Sequence, residues 1–99
     1  MFPGLTSKIS EGNYALATTI YPQSDLVRVT DTTSTTVLAT IAPPFGGFSG
    51  ITFIQNASGA NMTTVTTGNI LTAVTIGDKA LVVFVYSAAL GKYIVGALA

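Results

Sequence analysis

The sequence contains no cysteine and no histidine, and these absences remove much of the chemistry available to a small protein. Without cysteine there is neither a disulfide framework nor a thiolate metal site. Without histidine the chain lacks the commonest general base and the commonest transition-metal ligand. We therefore predict that the protein is not an enzyme, and we expect no catalytic residues, no cofactor and no metal site.

Charged residues are also scarce, since they make up only 8% of the chain, and the formal net charge is zero. A typical soluble domain has about 25% charged residues. The four basic residues, Lys8, Arg28, Lys79 and Lys92, are scattered along the chain. Nucleic-acid binding requires a basic patch, so we predict no nucleic-acid partner.

Long hydrophobic runs are missing as well, although 48% of the residues are hydrophobic. No run approaches the ~18 residues of a transmembrane helix, and the N-terminus lacks the pattern of a secretory signal. We expect no membrane contact and synthesis in a cytoplasm. A chain with so few charges is expected to have low solubility as a free monomer, which favours a protein that is part of an assembly. The alternative is a monomer with a threonine-rich surface.

The few acidic residues are poorly placed for chemistry. Asp25 and Asp31 flank one predicted strand, so their carboxylates lie at opposite ends and do not form a catalytic pair. A calcium site usually needs several carboxylates, and the chain has no aspartate-rich loop. Adventitious Ca²⁺ at Asp25 or Asp31 is the one alternative left open.

Short apolar runs separated by turn signals every eight to twelve residues or so predict an all-β fold. We expect about seven to eight short strands in a small antiparallel sandwich, jelly roll or barrel, with little or no helix. The domain division is an N-terminal arm over residues 1–13 and a single β domain over residues 14–99.

Within this β domain we predict one hairpin and one central strand. Residues 26–30 and 36–41 are predicted to form an antiparallel hairpin, with Val27 and Val29 on one face. Residues 80–86, the longest apolar run, predict a strand that is covered on both faces at the centre of a sheet. We expect it to lie between residues 70–76 and 92–96.

The aromatic residues divide into core and surface candidates. Phe53 and Phe84 are predicted in the core, and Tyr86 and Tyr93 are predicted to form a cross-strand pair. Four apolar residues in the arm and in the glycine-rich turn over residues 42–50 are the candidates for a protein interface. They are Phe2, Leu5, Phe45 and Phe48.

The order of turn and strand-end motifs between Val27 and Tyr93 carries a family resemblance. The motifs include Arg28-Val29-Thr30, Pro43-Pro44, Gly47-Phe48-Ser49-Gly50, Thr66-Thr67-Gly68-Asn69-Ile70 and Gly91-Lys92-Tyr93. This order resembles small β-rich virion structural proteins of tailed bacteriophages. The first 13 residues lie outside it.

The resemblance implies an accessory capsid decoration or cement protein that stabilises the phage head through protein–protein contacts. Its implied location is the capsid surface of the virion. The implied partners are the major capsid protein and other copies of the chain, as a homotrimer. The alternative is a tail, collar or fibre component with a receptor- or glycan-binding role.

Overall fold

A computed structural model describes residues 9–42 and 50–96 of the protein. These residues form ten short strands and no helix, so the all-β prediction is confirmed. The strands are β1 Glu11–Ala15, β2 Thr19–Ile20, β3 Leu26–Asp31, β4 Val37–Leu38, β5 Thr40–Ile41, β6 Ile51–Asn56, β7 Met62–Thr64, β8 Thr75–Ile76, β9 Leu81–Ser87 and β10 Lys92–Val95. Residues 11–13, the end of the predicted arm, belong to β1.

The first seven strands wind in three passes over the same sheets. Strands β1, β3 and β6 lie side by side in parallel in a five-stranded sheet. Strands β2 and β5 form a second parallel ladder, and β4 and β7 form a third. Each pass therefore stacks on the one before it, which is the arrangement of a short β-helix.

The antiparallel hairpin predicted over residues 26–30 and 36–41 is wrong. Strand β3 pairs with β1 and β6 in parallel, and residues 37–38 and 40–41 lie in two other sheets. Alternation of apolar and polar residues indicates a strand in either pairing direction, so it does not identify the partner. Between β3 and β4 the chain moves to another sheet instead of returning along β3.

One end of this winding is closed by antiparallel strands. The five-stranded sheet has the order β1-β3-β6-β9-β10, and β9 pairs antiparallel with both β6 and β10. The prediction that residues 92–96 lie beside residues 80–86 is thus confirmed for β10. The predicted neighbour at residues 70–76 is wrong, because β8 pairs with β7 in the three-stranded sheet.

The core lies between the sheets and is almost entirely apolar. Val27 and Val29 are fully buried, as their alternation predicts. The other buried apolar residues are Leu16, Ile20, Leu38, Ile41, Ile54, Met62, Ile70, Ile76, Phe84 and Tyr93. In the segment 36–41, Leu38 is buried and Val37 only half-buried, because the chain changes sheets at Ala39.

Asn69 and Gly68 pack the third pass against β5. The Asn69 side chain accepts a hydrogen bond from the Ile41 N–H (2.9 Å) and donates one to the Ile41 carbonyl (2.7 Å). A side-chain amide thus continues the β5 ladder. A Cβ at Gly68 would overlap Ala39 and Thr40, so glycine permits this close approach.

Candidate interaction surface

The five-stranded sheet has an inner face that packs on the core and an outer face. On β6, Thr52, Ile54 and Asn56 are buried, and the residues between them point to the outer face. On β9 and β10, Phe84 and Tyr93 are likewise buried on the inner side. Strand register then places the remaining residues in rows across the outer face.

Two of these rows are wholly apolar across three strands. One consists of Ile51, Val85 and Ile94, which are direct Cα partners and are each 41% exposed. The other consists of Leu26, Phe53 and Val83. Leu81, 43% exposed, stands at the end of the neighbouring row. We call the seven residues Leu26, Ile51, Phe53, Leu81, Val83, Val85 and Ile94 the apolar outer patch.

The apolar outer patch is bordered by polar residues toward β1. Gln55 and Arg28 continue the row of Leu81, and Asn13 follows on β1. The Arg28 guanidinium forms an ion pair with Glu11 and donates to Asn13 Oδ1 at 3.0 Å. From strand spacing and rise the patch measures roughly 15 by 20 Å. A contiguous apolar patch of this size is comparable to the largest patch on an ordinary monomer, and such patches are often functional.

The prediction that residues 80–86 are covered on both faces is therefore wrong for the outer face. Leu81 and Val85 are exposed, whereas Phe84 is in the core as predicted. Phe53 was also predicted in the core, but it is half-buried on the outer face. A strand that carries apolar residues on both of its faces is predicted to be covered on both sides. Within the described residues, only the inner face is covered.

Buried polar groups on the inner face are held by hydrogen bonds. The Asn56 amide donates to the Ala60 carbonyl (2.6 Å) and the Ile76 carbonyl (2.9 Å), and its Oδ1 accepts from the Ser58 backbone and hydroxyl. This network ties the loop after β6 to β8. Asn56 is fully buried, so its role in the described residues is structural.

The predicted pair of Tyr86 and Tyr93 is confirmed. They are direct partners on β9 and β10, and their ring centroids lie 5.1 Å apart in an edge-to-face arrangement. Burial raises the pKa of Tyr93; a hydrogen bond with Thr52 opposes this increase and the neighbouring Tyr86 adds to it. The pair anchors the last strand to the core.

Each acidic side chain in the described ranges has a local structural contact. Asp25 accepts a hydrogen bond from the Ser10 hydroxyl (3.1 Å), and Asp78 accepts one from the Gly59 N–H (2.9 Å). Hydrogen bonds from the Thr33 hydroxyl and N–H lower the pKa of Asp31. Residues 9–42 and 50–96 contain no group of three or more acidic, cysteine or histidine residues that could hold a metal ion.

A shallow groove is a concave feature of the described surface. It has a volume of about 450 Å³ and lies between the segment before β8 and the strands β9 and β10. Its lining is apolar apart from two threonines and contains no charged side chain; the lining residues are Thr72, Val74, Thr75, Ala80, Leu81, Val82, Val95 and Gly96. Such a lining offers no group that could take part in acid–base chemistry.

The four interface residues predicted from the sequence, Phe2, Leu5, Phe45 and Phe48, lie outside the described residues. The structure instead brings together the apolar outer patch, which the sequence interpretation missed. The sequence contains a signal for this patch, because β6 and β9 carry apolar residues on both of their faces. We interpreted that signal as a fully covered strand.

Comparison with known proteins gives no relative from which a function could be inferred. No protein-family model matches the chain, and neither a curated protein nor a solved structure matches it significantly. No helix in the described ranges has the length and hydropathy needed to cross a bilayer.

Proposed function

We propose that the chain is a structural subunit of a bacteriophage virion, an accessory decoration or cement protein that binds the major capsid protein on the head surface. The observation that carries the proposal is the apolar outer patch. The low content of charged residues and the resemblance of residues 27–93 to small virion proteins agree with it. The homotrimer that the resemblance implies stays a prediction.

The size of the patch suits repeated contacts. Its area of roughly 300 Å² is less than half of the ~800 Å² that each partner contributes to a standard stable interface. One contact of this size is weak, but a lattice presents many equivalent sites, and linked copies bind such a surface with greater avidity. Binding only the assembled shell then stabilises that shell by mass action.

The composition of the patch suits a protein partner. It contains no charged side chain, so docking desolvates no ion and leaves no buried charge unpaired. The ion pair of Arg28 and Glu11 stands at the rim, where solvent reaches it. An apolar centre with a polar rim is the usual anatomy of a protein–protein interface.

The test is a charge placed in the centre of the patch. Val85→Lys sits between Ile51 and Ile94, and we expect it to reduce co-sedimentation of the chain with purified phage capsids by at least tenfold. Tyr21→Lys is the control, because Tyr21 is 69% exposed and follows β2, which is not part of the five-stranded sheet. Unchanged binding of a folded Val85→Lys variant would contradict the proposal.

A tail, collar or fibre component with a receptor- or glycan-binding role is the second candidate. The observation that favours it is the stacking of parallel passes, since such stacking builds elongated structures. Electron cryomicroscopy of the virion separates the two candidates directly. Density for this chain on the head supports decoration, and density on the tail or fibres supports the alternative.

A further inference from the structure

The turn between β8 and β9 holds a lysine in a backbone conformation that favours glycine. Lys79 has a φ of 72°, and in the ranges 9–42 and 50–96 it is the one residue other than glycine with a positive φ. This left-handed region is unfavourable for a residue with a Cβ, and lysine is not among the residue types enriched there. Lys79 therefore occupies a strained position.

The chain has glycine at the other described positions with this backbone angle. Gly50, Gly59 and Gly91 have φ values of 81°, 85° and 65°. A Cβ at Gly59 or Gly91 would meet no atom within 4 Å, so glycine suits those two positions because of the backbone angle and not because of crowding. Glycine would suit position 79 in the same way, and the local backbone energy therefore opposes the lysine.

Two backbone hydrogen bonds hold Lys79 in this conformation. The Ala80 N–H donates to the Gly77 carbonyl (3.0 Å), and Lys79 is the third residue of that turn, where type II turns require a positive φ. The Lys79 N–H donates to the Asn56 carbonyl (2.6 Å), which ties the turn to the end of β6. The strain persists because the surrounding fold fixes the turn, and residues held in this way concentrate at functional sites.

The position of Lys79 relates it to the apolar outer patch. Lys79 is exposed and lies two residues before Leu81, so the two Cα atoms are at most about 7 Å apart. Leu81 and Gln55 form the row at this end of the sheet. Lys79 therefore stands at the rim of the patch.

The charge of Lys79 is not used within the described part of the chain. Its ammonium forms no ion pair with any residue in the ranges 9–42 and 50–96, whereas Arg28 on the same rim is paired with Glu11. The neighbouring carboxylate, Asp78, accepts a hydrogen bond from the Gly59 N–H (2.9 Å). In a chain with only 8% charged residues, an exposed lysine at a position that favours glycine calls for a role in binding.

We propose that Lys79 is a binding residue at the rim of the apolar outer patch, and that its ammonium contacts a carboxylate of the partner protein. This deepens the proposed function and rests on it. A charge at the rim of an interface sets the rate and the salt dependence of association and helps to select the partner. One lysine beside an apolar surface fits a single carboxylate, whereas a nucleic acid would require a basic patch.

The test separates the strain at position 79 from the charge. Lys79→Gly removes both, whereas Lys79→Gln removes the charge and keeps the strained backbone. We expect the melting temperature of Lys79→Gly to exceed that of the unmodified chain by about 4 °C, and that of Lys79→Gln to be unchanged. In both variants we expect co-sedimentation with purified phage capsids at low salt to weaken by about threefold.

Lys92→Gln is the control for a general effect of charge, because it also removes one lysine from the same sheet. Lys92 pairs with Ser87, at the end of β9 that is distant from Lys79. We expect this variant to bind capsids more tightly than Lys79→Gln does. Lys79→Arg, which keeps the charge, should bind as the unmodified chain does, and high salt should remove the difference between the unmodified chain and Lys79→Gln.

A more stable fold combined with weaker capsid binding in Lys79→Gly supports the role of Lys79. Unchanged binding of Lys79→Gly and Lys79→Gln overturns it, as does an equal loss in Lys92→Gln. A melting temperature of Lys79→Gly no higher than that of the unmodified chain removes the strain on which the inference depends. In each of these cases a loss of binding in Val85→Lys still supports the proposed function. If the unmodified chain does not sediment with capsids, the proposed function and this inference fail together.

Discussion

The two faces of the five-stranded sheet are similarly apolar but lie in different surroundings. Ile54 and Phe84 on the inner face are fully buried against the other sheets, whereas Ile51 and Val85 on the same two strands are 41% exposed. Within residues 9–42 and 50–96, packing inside the chain therefore covers only one of the two apolar faces. Exposed apolar patches on protein surfaces are often functional, which is why the outer face is the candidate interaction surface.

Alanine substitutions on β6 test this difference most strongly. Ile54→Ala removes a fully buried side chain, and we expect it to lower the free energy of unfolding by about 2–5 kcal/mol. Ile51→Ala changes the same residue type on the same strand but on the outer face. We expect that loss to stay below about 1 kcal/mol, because the side chain remains in contact with water.

Urea denaturation of the isolated chain measures both values. Similar losses for the two variants would mean that Ile51 is already covered in the free protein. That result would remove the physical basis of the apolar outer patch.

The polar residues that end β6 extend the comparison. Asn56→Ala removes the hydrogen bonds to the Ile76 and Ala60 carbonyls, and leaving a buried carbonyl unsatisfied should cost about 2–3 kcal/mol. Gln55→Ala, one residue earlier on the outer face, should cost less than about 0.5 kcal/mol. Thermal denaturation followed by circular dichroism checks the pair, and a larger loss for Gln55→Ala would contradict the assignment of the faces.

The sequence predicts the strands of this fold far better than their partners. Val27 and Val29 are buried as alternation indicates, and Tyr86 meets Tyr93 as proximity along the chain suggests. Local pattern sets which residues point inward, and short turns identify hairpins such as that of β9 and β10. Both signals act over a few residues, so they are visible in the sequence alone.

The stacked passes depend on contacts over longer distances that no local pattern encodes. Leu26 pairs with Phe53, and Thr19 pairs with Thr40, and neither alternation nor turn chemistry gives those registers. The Asn69 side chain that bonds to Ile41 looks in the sequence like an ordinary turn residue. The apolar outer patch was missed for a related reason, since a covered face and an exposed apolar face have the same composition.

The smallest expected effect is a pH dependence of stability that comes from Tyr93, whose phenol is buried on the inner face. Burial raises its pKa, so the folded state holds the phenolic proton more strongly than the unfolded chain does. The resulting stability is fully present below the unfolded value near 10 and is lost as pH rises through the folded pKa. We therefore expect the urea midpoint to fall as the pH rises above the unfolded value of about 10, and to fall less in Tyr93→Phe. Tyr86→Phe retains the buried phenol of Tyr93, whose burial is the largest cause of the increase in pKa, so it should stay closer to the unmodified chain than Tyr93→Phe does. If Tyr93→Phe and Tyr86→Phe lose stability in parallel as the pH rises, the pKa of Tyr93 is not raised in the way that its burial indicates.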